Sequence, residues 1–336
     1  MKKLRWGILA TGYIAGRFAD GLATSHTGEL IAVSSRSLKS AQTFASKYGR
    51  VNAYASQEEL LSQPDVDAVY IATPHPFHAE LAIAAAKAGK HILCEKPIAM
   101  NMAETEAVIS AAETAGVTLV EAYMYRCHPQ SAKVVELIKK GKIGKVRLIQ
   151  AAFGFNAPFD PSGRLFAKEL GGGAILDVGG YPASFACMIA DTASDSENIA
   201  VKCVGGLGRI DPRCETDTIA IANLEFENGI AAQISVSTQL NQNNIARVYG
   251  EKGSIEIPLP WIVARDGGEW SFDISSDGKD KPKKITGNEP RGLYGVEADC
   301  FAEIVAGQKP SAPCMRIPDT RRVNTILEDW QNQLKS

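Results

Sequence analysis

Short apolar runs alternate with helical patterns through the first 121 residues, and this alternation constrains the fold more than any other feature of the chain. Leu4–Ala10 and Leu30–Ser34 have the length of buried strands, and an amphipathic helical pattern follows each of them. Further strands are predicted at Val66–Ala72, His91–Cys94 and Val117–Glu121, with helices at Tyr13–Ala23, Leu38–Tyr48, Phe77–Ala88 and Ala103–Ala115. Strands that alternate with helices form a parallel, doubly wound sheet, so we predict an α/β domain over residues 1–124.

From Gln150 onward the pattern changes to closely spaced strands separated by turn signals. Glu227-Asn228-Gly229 is a strong hairpin turn, and Ile230–Gln239 alternates apolar and polar residues, which places the apolar side chains on one sheet face. The predicted strands cover residues 145–156, 198–208, 216–226, 229–238, 245–250 and 253–258. We predict that residues 125–336 form an α+β domain with a large, mostly antiparallel open sheet. We expect the exposed face of that sheet to form a homodimer interface.

Composition excludes several classes of protein. A net charge of -2 and a pI near 6.3 indicate no basic surface for nucleic acid. No run of about 18 apolar residues is present, so we expect no membrane-spanning segment. Seven dispersed cysteines without a C-x-x-C pair predict free thiols in a reducing compartment, hence a cytoplasmic protein. His75-x-x-His78 and Cys127-His128 lack partners at metal-site spacing, so no metal centre is predicted.

The first strand-to-helix turn matches part of the dinucleotide-binding (Rossmann) fingerprint G-x-G-x-x-G/A. Gly12 stands at its second glycine and Ala15 at its third position, whereas Ala10 replaces the first glycine. Glycine at position 12 lets the backbone approach a pyrophosphate, and the next helix directs its amino terminus at the phosphates. We therefore expect cofactor contacts from the residues of this turn, which are Ala10, Thr11, Gly12, Tyr13 and Ile14.

The end of the second strand indicates which dinucleotide binds. Enzymes that use NAD usually carry Asp or Glu there to bind the ribose 2′-hydroxyl. This chain has Ser35-Arg36-Ser37 instead, and a guanidinium pairs well with a 2′-phosphate while the two hydroxyl groups add hydrogen bonds. We predict NADP as the cofactor, with NAD as the alternative. The competing interpretation of Arg36 is a surface residue before a helix that Ser37 caps.

Two later strand ends also carry candidate site residues. Thr73-Pro74 begins a proline-rich loop that we expect to face the nicotinamide half of the cofactor. His78 belongs either to that site or to the first turn of the next helix. Glu95-Lys96-Pro97 follows a buried strand, at the edge where open α/β sheets bind their ligands. We expect Glu95 and Lys96 to contact the cofactor, whereas the competing interpretation of Lys96 is a solvated strand end.

A glycine-rich segment in the second half precedes another candidate site. Gly171-Gly172-Gly173 frees the backbone before a predicted helix, on which Asp177 and Tyr181 stand four residues apart on one face. A solvated Asp and a core Tyr are the ordinary interpretations of such residues. The loop 156–169 before the glycines either covers a substrate or is an ordinary surface loop.

Glu95-Lys96-Pro97 together with Gly171-Gly172-Gly173, Asp177 and Tyr181 resembles the Gfo/Idh/MocA oxidoreductase family. The likeness extends over nearly the whole chain. It also includes Trp6-Gly7-Ile8-Leu9, Thr73-Pro74 and Tyr249-Gly250-x2-Gly253. The segment Glu121–Arg126 looks like the domain joint of one branch of the family, which contains dihydrodiol dehydrogenase and NADP-dependent xylose dehydrogenase. Ala10 stands where the family usually has glycine, and this difference bears on how tightly the cofactor binds rather than on the fold.

The resemblance implies reversible hydride transfer between a nicotinamide and a hydroxyl group of a neutral sugar, polyol or trans-diol. It implies Tyr181 as the acid/base, because a lysine ammonium such as that of Lys96 lowers the pKa of a neighbouring tyrosine. Lys96 would hold the reacting oxygen, and Asp177 would bind a neighbouring hydroxyl or orient Lys96. The reverse assignment of Lys96 and Tyr181 stays open. Further substrate contacts are expected from Tyr125, Arg126 and Phe155.

Three other functions compete with an NADP-dependent dehydrogenase that exchanges its cofactor. An aldose–aldose oxidoreductase would keep NADP bound and pass hydride between two sugars. An NAD-dependent glycosidase would retain NAD, but Arg36 argues for the phosphorylated cofactor. A ligand-sensing regulator would lack part of the Lys96, Asp177 and Tyr181 set, and this chain has all three.

Overall fold

The computed structural model describes residues 3–278 and 281–335, and the chain divides into two compact units. The first unit contains Met1–His128, Ala264–Gly268 and Glu289–Ile317, and the second contains Pro129–Val263, Glu269–Asn288 and Pro318–Ser336. The predicted boundary at residue 124 lies close to the first division. The return of Glu289–Ile317 to the first unit was not predicted, because no local sequence pattern encodes which unit a later helix joins.

The described residues form fourteen strands and ten α-helices, numbered here in chain order. The strands are β1 Leu4–Leu9, β2 Gly28–Ser34, β3 Asn52–Tyr54, β4 Ala68–Ile71, β5 His91–Glu95, β6 Leu119–Ala122, β7 Val146–Gly154, β8 Val201–Asp211, β9 Thr216–Phe226, β10 Ala231–Ser237, β11 Ala246–Gly250, β12 Gly253–Ile257, β13 Gly268–Ser276 and β14 Lys283–Glu289. The helices are α1 Tyr13–Leu22, α2 Leu38–Ala45, α3 Gln57–Leu61, α4 His78–Lys87, α5 Met102–Ala115, α6 Met124–Cys127, α7 Pro129–Lys139, α8 Gly180–Ser194, α9 Leu293–Val305 and α10 Ile317–Lys335.

The first unit is built on a six-stranded sheet with strand order β3-β2-β1-β4-β5-β6. All neighbouring strands pair in parallel, which confirms the predicted doubly wound sheet. The strand order reverses between β1 and β4, and the carboxyl ends of strands at such a switch point form a ligand-binding edge. Strand β3 was not predicted, because a run of three residues is too short to carry a periodic signal.

Helix α9 is part of the core of the first unit. It packs against α1, where Gly21 permits a close approach, since a Cβ at that position would lie 2.6 Å from the Cβ of Tyr294. The rings of Phe18 in α1 and Phe301 in α9 both contact the buried indole of Trp6, with centroid separations of 5.2 and 5.0 Å. The carboxyl-terminal third of the chain therefore supplies part of the hydrophobic core beneath β1.

The second unit is built on an eight-stranded sheet with strand order β14-β13-β12-β11-β7-β10-β9-β8. The sheet is mostly antiparallel, as predicted, and β10 pairs in parallel with β7. The hairpin turn at Gly229, which has a φ of 79°, joins β9 to β10 as expected. Strands β13 and β14 were not predicted, because their sequences are mostly polar and contain no long apolar alternation.

The two faces of this sheet differ in burial. Ala232, Ile234 and Val236 of β10 are buried, which confirms the predicted apolar face, and α8 contacts this strand. On the opposite face, Leu207 of β8 is 68% exposed and its cross-strand partner Ile221 of β9 is 49% exposed. The second unit thus covers one sheet face with helices and leaves apolar side chains exposed on the other.

One helical stretch of the described residues, Lys168–Ser194, is long and apolar enough by composition to cross a membrane. The most apolar part of this stretch is entirely buried inside the protein. The stretch contains α8, which packs on the sheet of the second unit. The core helix of a folded domain passes the same test of length and composition. Glycines and single polar residues interrupt the apolar runs of this stretch, so no long apolar run marks it in the sequence.

Candidate active site

The turn between β1 and α1 has the backbone of a phosphate-binding loop. Ala10 has a φ of 111°, which lies in the region that glycine favours, at the position of the fingerprint's first glycine. Gly12 precedes α1, and a Cβ built on it would meet nothing within 4 Å, so its backbone is open to a close-approaching group. Helix α1 has neither a side-chain cap nor an acidic residue in its first turn. Its amino terminus therefore suits an anion.

The next strand end holds the residues expected at the cofactor ribose. Arg36 is exposed and lies directly after β2, which neighbours β1 in the sheet. Ser35 Oγ accepts a hydrogen bond from Thr11 Oγ1 at 3.3 Å, which joins the two turns. Ser37 caps α2 through a hydrogen bond from Ser40 N, as the competing interpretation of this segment required. Thus only Ser35 and Arg36 of this trio keep the predicted position beside the phosphate turn without serving as a helix cap.

Tyr13 and Ile14 open helix α1 but differ in exposure. Tyr13 is 75% exposed, and its hydroxyl accepts a hydrogen bond from Arg265 Nη1 at 3.3 Å. Ile14 is half-buried, and Ala15, at the third position of the fingerprint, is fully buried. Ala15 therefore brings the helix close to the sheet, as the fingerprint requires.

The loop after β4 contains a hydroxyl that lacks a hydrogen-bond partner among the described residues. Thr73 Oγ1 is buried and unpaired, as is Ser34 Oγ at the end of β2. A buried unpaired hydroxyl is costly unless a ligand or water satisfies it. Pro74 follows Thr73 and introduces the 3₁₀ turn His75–Phe77.

His78 braces two loops of the first unit. Its side chain is fully buried, with Nδ1 2.7 Å from Pro97 O and Nε2 2.8 Å from Thr73 O. Of the two interpretations given above, the structure favours the first turn of α4. We correct the cofactor-contact prediction accordingly, since both ring nitrogens are directed at backbone carbonyls rather than at an open edge. His78 positions Thr73 and Pro97 relative to each other.

Lys96 lies directly after β5, at the carboxyl edge of the parallel sheet, and its peptide bond to Pro97 is cis. Glu95 beside it is buried and accepts hydrogen bonds from Tyr70 Oη and from Lys96 N. Burial, followed by the charge of Glu95, raises the pKa of Tyr70 well above its usual value, so Tyr70 remains a hydrogen-bond donor.

A second buried carboxyl group lies near Glu95. Glu297 in α9 is 1% exposed, and neither of its carboxylate oxygens has a hydrogen-bond partner among the described residues. Burial, followed by repulsion from Glu95, raises the pKa of Glu297 well above the ordinary carboxyl range. Glu297 therefore holds its proton to higher pH than an ordinary carboxyl group does.

Tyr125 and Arg126 lie in the short helix α6 and are 1% and 3% exposed. The Arg126 guanidinium donates to Pro313 O at 2.7 Å through Nε and lies 3.0 Å from Met315 Sδ through Nη1. This side chain therefore holds the segment before α10, which corrects the predicted substrate contact from Arg126. The sequence did not reveal this role, because its partners are nearly 190 residues away.

In the second unit, the glycine run is required by the chain's close approach to Asp217. Gly173 has a φ of 119°, and a Cβ there would lie 2.5 Å from Asp217 Oδ1. The other carboxylate oxygen of Asp217 accepts from Ile175 N at 2.7 Å, at the start of the π-helical turn Ile175–Gly179. A π-helical turn at this point was not predicted, and such turns occur frequently at functional sites.

Asp177 lies in this π-helical turn, and Tyr181 lies in the first turn of α8. Asp177 Oδ1 accepts from Nη1 of Arg164 at 2.7 Å, which connects the loop 156–169 to the helix. The ring of Tyr181 contacts Phe153 edge-on at a centroid distance of 5.1 Å, and Phe153 contacts Phe155 at 6.2 Å. The structure therefore brings Tyr181 and the predicted Phe155 to one aromatic cluster through Phe153.

The comparisons with known proteins agree with this geometry. A family model described as the oxidoreductase family with an NAD-binding Rossmann fold (GFO_IDH_MocA) matches residues 4–123, and the GFO/IDH/MocA C-terminal domain matches residues 131–256. Trans-1,2-dihydrobenzene-1,2-diol dehydrogenase of Xenopus laevis is 31% identical, with 98% of each chain covered. The mouse (Mus musculus) enzyme of the same name is 30% identical, covering 97% of this chain and 95% of that protein. The chain belongs to the Gfo/Idh/MocA oxidoreductase family.

Solved structures show the same fold over nearly the whole chain. An aldose–aldose oxidoreductase from Caulobacter crescentus, complexed with glycerol, is 27% identical with a TM-score of 0.84, covering 99% of this chain and 98% of that chain. A 3-ketoreductase from Actinomadura kijaniata in complex with NADP and TDP-benzene is 24% identical, also with a TM-score of 0.84 and the same coverage. This Gfo/Idh/MocA protein is therefore an oxidoreductase of the dehydrogenase type, with an NAD(P)-binding first unit.

The residues of the first unit fit a nicotinamide dinucleotide. The open Cβ position at Gly12 and the uncapped helix α1 suit a pyrophosphate, and the buried unpaired hydroxyl of Thr73 suits a polar ligand group at the same sheet edge. Gly12, Thr73 and the neighbouring Ser35 and Arg36 would hold the cofactor.

Sequence reasoning missed several residues of these sites. Phe153 and Trp261 enclose the Tyr181 ring, and Arg164 binds Asp177. Their sequence neighbourhoods look like an ordinary strand and ordinary loops, so no local signal distinguished them. Glu297 was detectable in principle, because it is an acidic residue within the strongly apolar helix α9.

Proposed function

We propose that this enzyme transfers hydride between NADP and a hydroxyl-bearing carbon of a sugar, polyol or trans-diol. The observation that carries the proposal is Lys96 at the carboxyl end of β5, on the same sheet edge as the phosphate turn at Gly12. The named relatives act on a trans-dihydrodiol, and one solved neighbour is an aldose–aldose oxidoreductase. Both substrate classes contain neighbouring hydroxyl groups.

NADP is the proposed cofactor because of the charge at the end of β2. Arg36 is exposed there, and the segment Ser35–Ser37 contains no carboxylate to bind a ribose 2′-hydroxyl. A carboxylate would repel a 2′-phosphate, whereas a guanidinium attracts it. The 3-ketoreductase that shares this fold was crystallised with NADP, which is consistent with the proposal.

We assign the acid/base role to Tyr181 and substrate binding to Lys96 and Asp177. When bound, the nicotinamide accepts or returns the hydride. Oxidation of an alcohol also requires a group that takes the hydroxyl proton, and a phenol oxygen can do so when it is oriented and shielded from water. Phe153 and Trp261 fix the Tyr181 ring through aromatic contacts at 5.1 and 6.0 Å, which supports this orientation.

Asp177 is suited to a neighbouring hydroxyl of the substrate. Arg164 donates to its Oδ1 and so fixes the carboxylate from the loop side. In this proposal Arg164 is a positioning residue, and the Lys96 ammonium holds the reacting oxygen. In the reverse assignment, Lys96 transfers the proton. The pH dependence of the rate of a Lys96→Arg variant distinguishes the two, because it should match that of the wild type only if Tyr181 is the acid/base.

The second candidate function is an aldose–aldose oxidoreductase that retains NADP. The 27% identity to the Caulobacter enzyme over 99% of this chain supports this second candidate. The two candidates differ in cofactor release. A dehydrogenase purified from cells loses its nucleotide on gel filtration and requires added NADP, whereas a retaining enzyme carries about one nucleotide per chain that appears only on denaturation.

We propose that the protein is a cytoplasmic homodimer formed through the exposed face of the eight-stranded sheet. The cross-strand partners Leu207 and Ile221 expose apolar side chains there, and a second copy of the same face would bury them. All seven cysteines are free, which is consistent with a reducing compartment. Sedimentation at micromolar concentration should give a dimer, and cell fractionation should recover the protein in the cytosol; a monomer or a secreted protein would contradict these proposals.

The test of the proposed function is a spectrophotometric screen. The purified protein is mixed with NADP or NAD and a panel of aldoses, polyols and trans-diols, and the absorbance of the reduced nicotinamide is followed. Reduction of NADP with at least one compound of this panel is expected. No reduction with any compound, in a protein that also carries no nucleotide on denaturation, would overturn both candidate functions.

A further inference from the structure

Three cysteines from distant parts of the sequence meet in the core of the first unit. Cys127 ends α6, Cys300 lies in α9, and Cys314 lies in the segment between α9 and α10. Their side chains are buried, with exposures of 5%, 2% and 3%. The three Sγ atoms all lie within 4.8 Å of one another, and Cys127 Sγ lies 3.3 Å from Cys314 Sγ.

This spacing matches that of thiolates around one metal ion. Zinc–sulfur bonds are about 2.3 Å long, so three thiolates on one zinc ion lie roughly 3.8–4.0 Å apart in tetrahedral or trigonal geometry. The Sγ–Sγ separations of the cluster, 3.3 Å for Cys127–Cys314 and no more than 4.8 Å for the others, need to change by at most about 1 Å to reach that arrangement. A disulfide between Cys127 and Cys314 would need a larger movement, from 3.3 Å to about 2.05 Å.

The chemistry around the cluster also suits a thiophilic cation. All three candidate ligand atoms are cysteine sulfurs, which zinc binds in structural sites. The guanidinium of Arg126 lies near the cluster, 3.0 Å from Met315 Sδ and 2.7 Å from Pro313 O. Three thiolates on one Zn²⁺ carry a net negative charge, and the positive charge of Arg126 favours it.

We propose that Cys127, Cys300 and Cys314 form a buried site for one thiophilic d¹⁰ cation, Zn²⁺. The site lies within the first unit, and it joins α6, α9 and the segment before α10. A metal there is structural, because it cross-links three chain segments that lie about 173 and 187 residues apart in sequence. Cu⁺ shares the same ligand chemistry, so the test compares the two ions directly.

The first test measures metal content. Untagged full-length protein is treated with a chelator under reducing conditions, reloaded with Zn²⁺ or Cu⁺, passed through gel filtration and analysed by mass spectrometry of the metals. One tightly held Zn²⁺ per chain is expected. Apparent affinity should fall as the pH is lowered, because protons compete with the ion for the cysteine sulfurs. Binding of Cu⁺ alone, with no Zn²⁺ retained after gel filtration, would overturn the zinc assignment.

The second test uses variants and a matched control. Cys300→Ala and Cys314→Ala should each lower Zn²⁺ affinity by more than the ~10–100-fold that changes outside the ligand set produce. Cys203→Ala removes a cysteine outside the cluster, so its Zn²⁺ content should equal that of the wild type. Equal Zn²⁺ affinity in all three variants would overturn the proposal. Circular dichroism checks that each variant is folded.

A third measurement needs no variant. Native wild-type protein, with and without Zn²⁺, is exposed to a thiol alkylating reagent, and the modified cysteines are identified by peptide mass spectrometry. Zn²⁺ should slow alkylation of Cys127, Cys300 and Cys314 at least tenfold and leave Cys203 unchanged. Equal alkylation rates with and without Zn²⁺, or a Cys127–Cys314 disulfide in protein purified under reducing conditions, would contradict the site.

Discussion

Replacement of Ala10 with glycine should stabilise the protein, although glycine substitutions usually destabilise. Ala10 has a φ of 111°, where its Cβ is strained against the backbone. A non-glycine residue held in such a conformation costs about 1–3 kcal/mol. The glycine loses about 0.5–1 kcal/mol more backbone entropy on folding, so the net gain in the free energy of unfolding should be about 1 kcal/mol.

Equilibrium urea unfolding of Ala10→Gly without nucleotide measures this gain directly. Ala15→Gly is the matched control, because Ala15 lies in α1, is fully buried and lacks a positive φ. It should lose about 1 kcal/mol, since glycine is a poor helix former. If Ala10→Gly destabilises the protein as Ala15→Gly does, the first position of the fingerprint is not strained and the reasoning is refuted.

Three further predictions concern charged and buried groups. Arg36→Ala should weaken NADP binding by about 10–100-fold in calorimetry, which corresponds to the loss of one or two charge-assisted hydrogen bonds. NAD binding should stay nearly unchanged, and an equal loss for both nucleotides would exclude a 2′-phosphate contact. Burial raises the pKa of Glu297 above the ordinary 4.5, so the folded protein keeps a proton that the unfolded chain loses, and stability falls as pH rises above 4.5. Glu297→Gln should therefore become more stabilising as pH rises above 4.5 in urea unfolding, and a constant difference would contradict this. Burial lowers the pKa of His128 to about 4, so the unfolded chain binds a proton first and stability is lost as pH falls from 6.5 to 4. His128→Gln should remove up to about 3 kcal/mol of this loss. An unchanged dependence of stability on acid pH would show that His128 does not cause it.

Much of the fold follows from periodicity in the sequence. The alternation of strands and helices up to β6 and the hairpin at Gly229 are local signals, and the structure confirms both. Strand β3 and the polar strands β13 and β14 escape such reasoning, because their pairing depends on neighbouring strands rather than on their own hydrophobic pattern. The return of α9 to the first unit escapes it for a similar reason, since it depends on contacts between residues far apart in sequence, such as Tyr294 with Gly21 and Phe301 with Trp6.

The candidate sites show a similar division. Gly12 and Lys96 were predictable because their chemistry depends on position at a strand end, which the sequence pattern locates. Arg126 was predicted to contact the substrate, yet it holds a loop through Pro313 O and Met315 Sδ. His78 was predicted either at the cofactor or in the first turn of the next helix, and its ring nitrogens lie against the backbone carbonyls of Thr73 and Pro97. A polar residue near a site looks the same in sequence whether it binds the ligand or holds the loop that does. The cluster around Cys300 shows the opposite case, in which dispersed residues meet only in the folded chain.

The most direct test of the central claim compares turnover and cofactor binding in the same variants. With the best substrate of the panel, Tyr181→Phe and Lys96→Ala should each lower kcat/KM by at least about 100-fold, which is the usual contribution of an acid/base group. The Kd of Tyr181→Phe for NADP should stay within about threefold of the wild-type value. This result would establish hydride transfer assisted by these two side chains. Near wild-type NADPH formation in either variant would contradict the account.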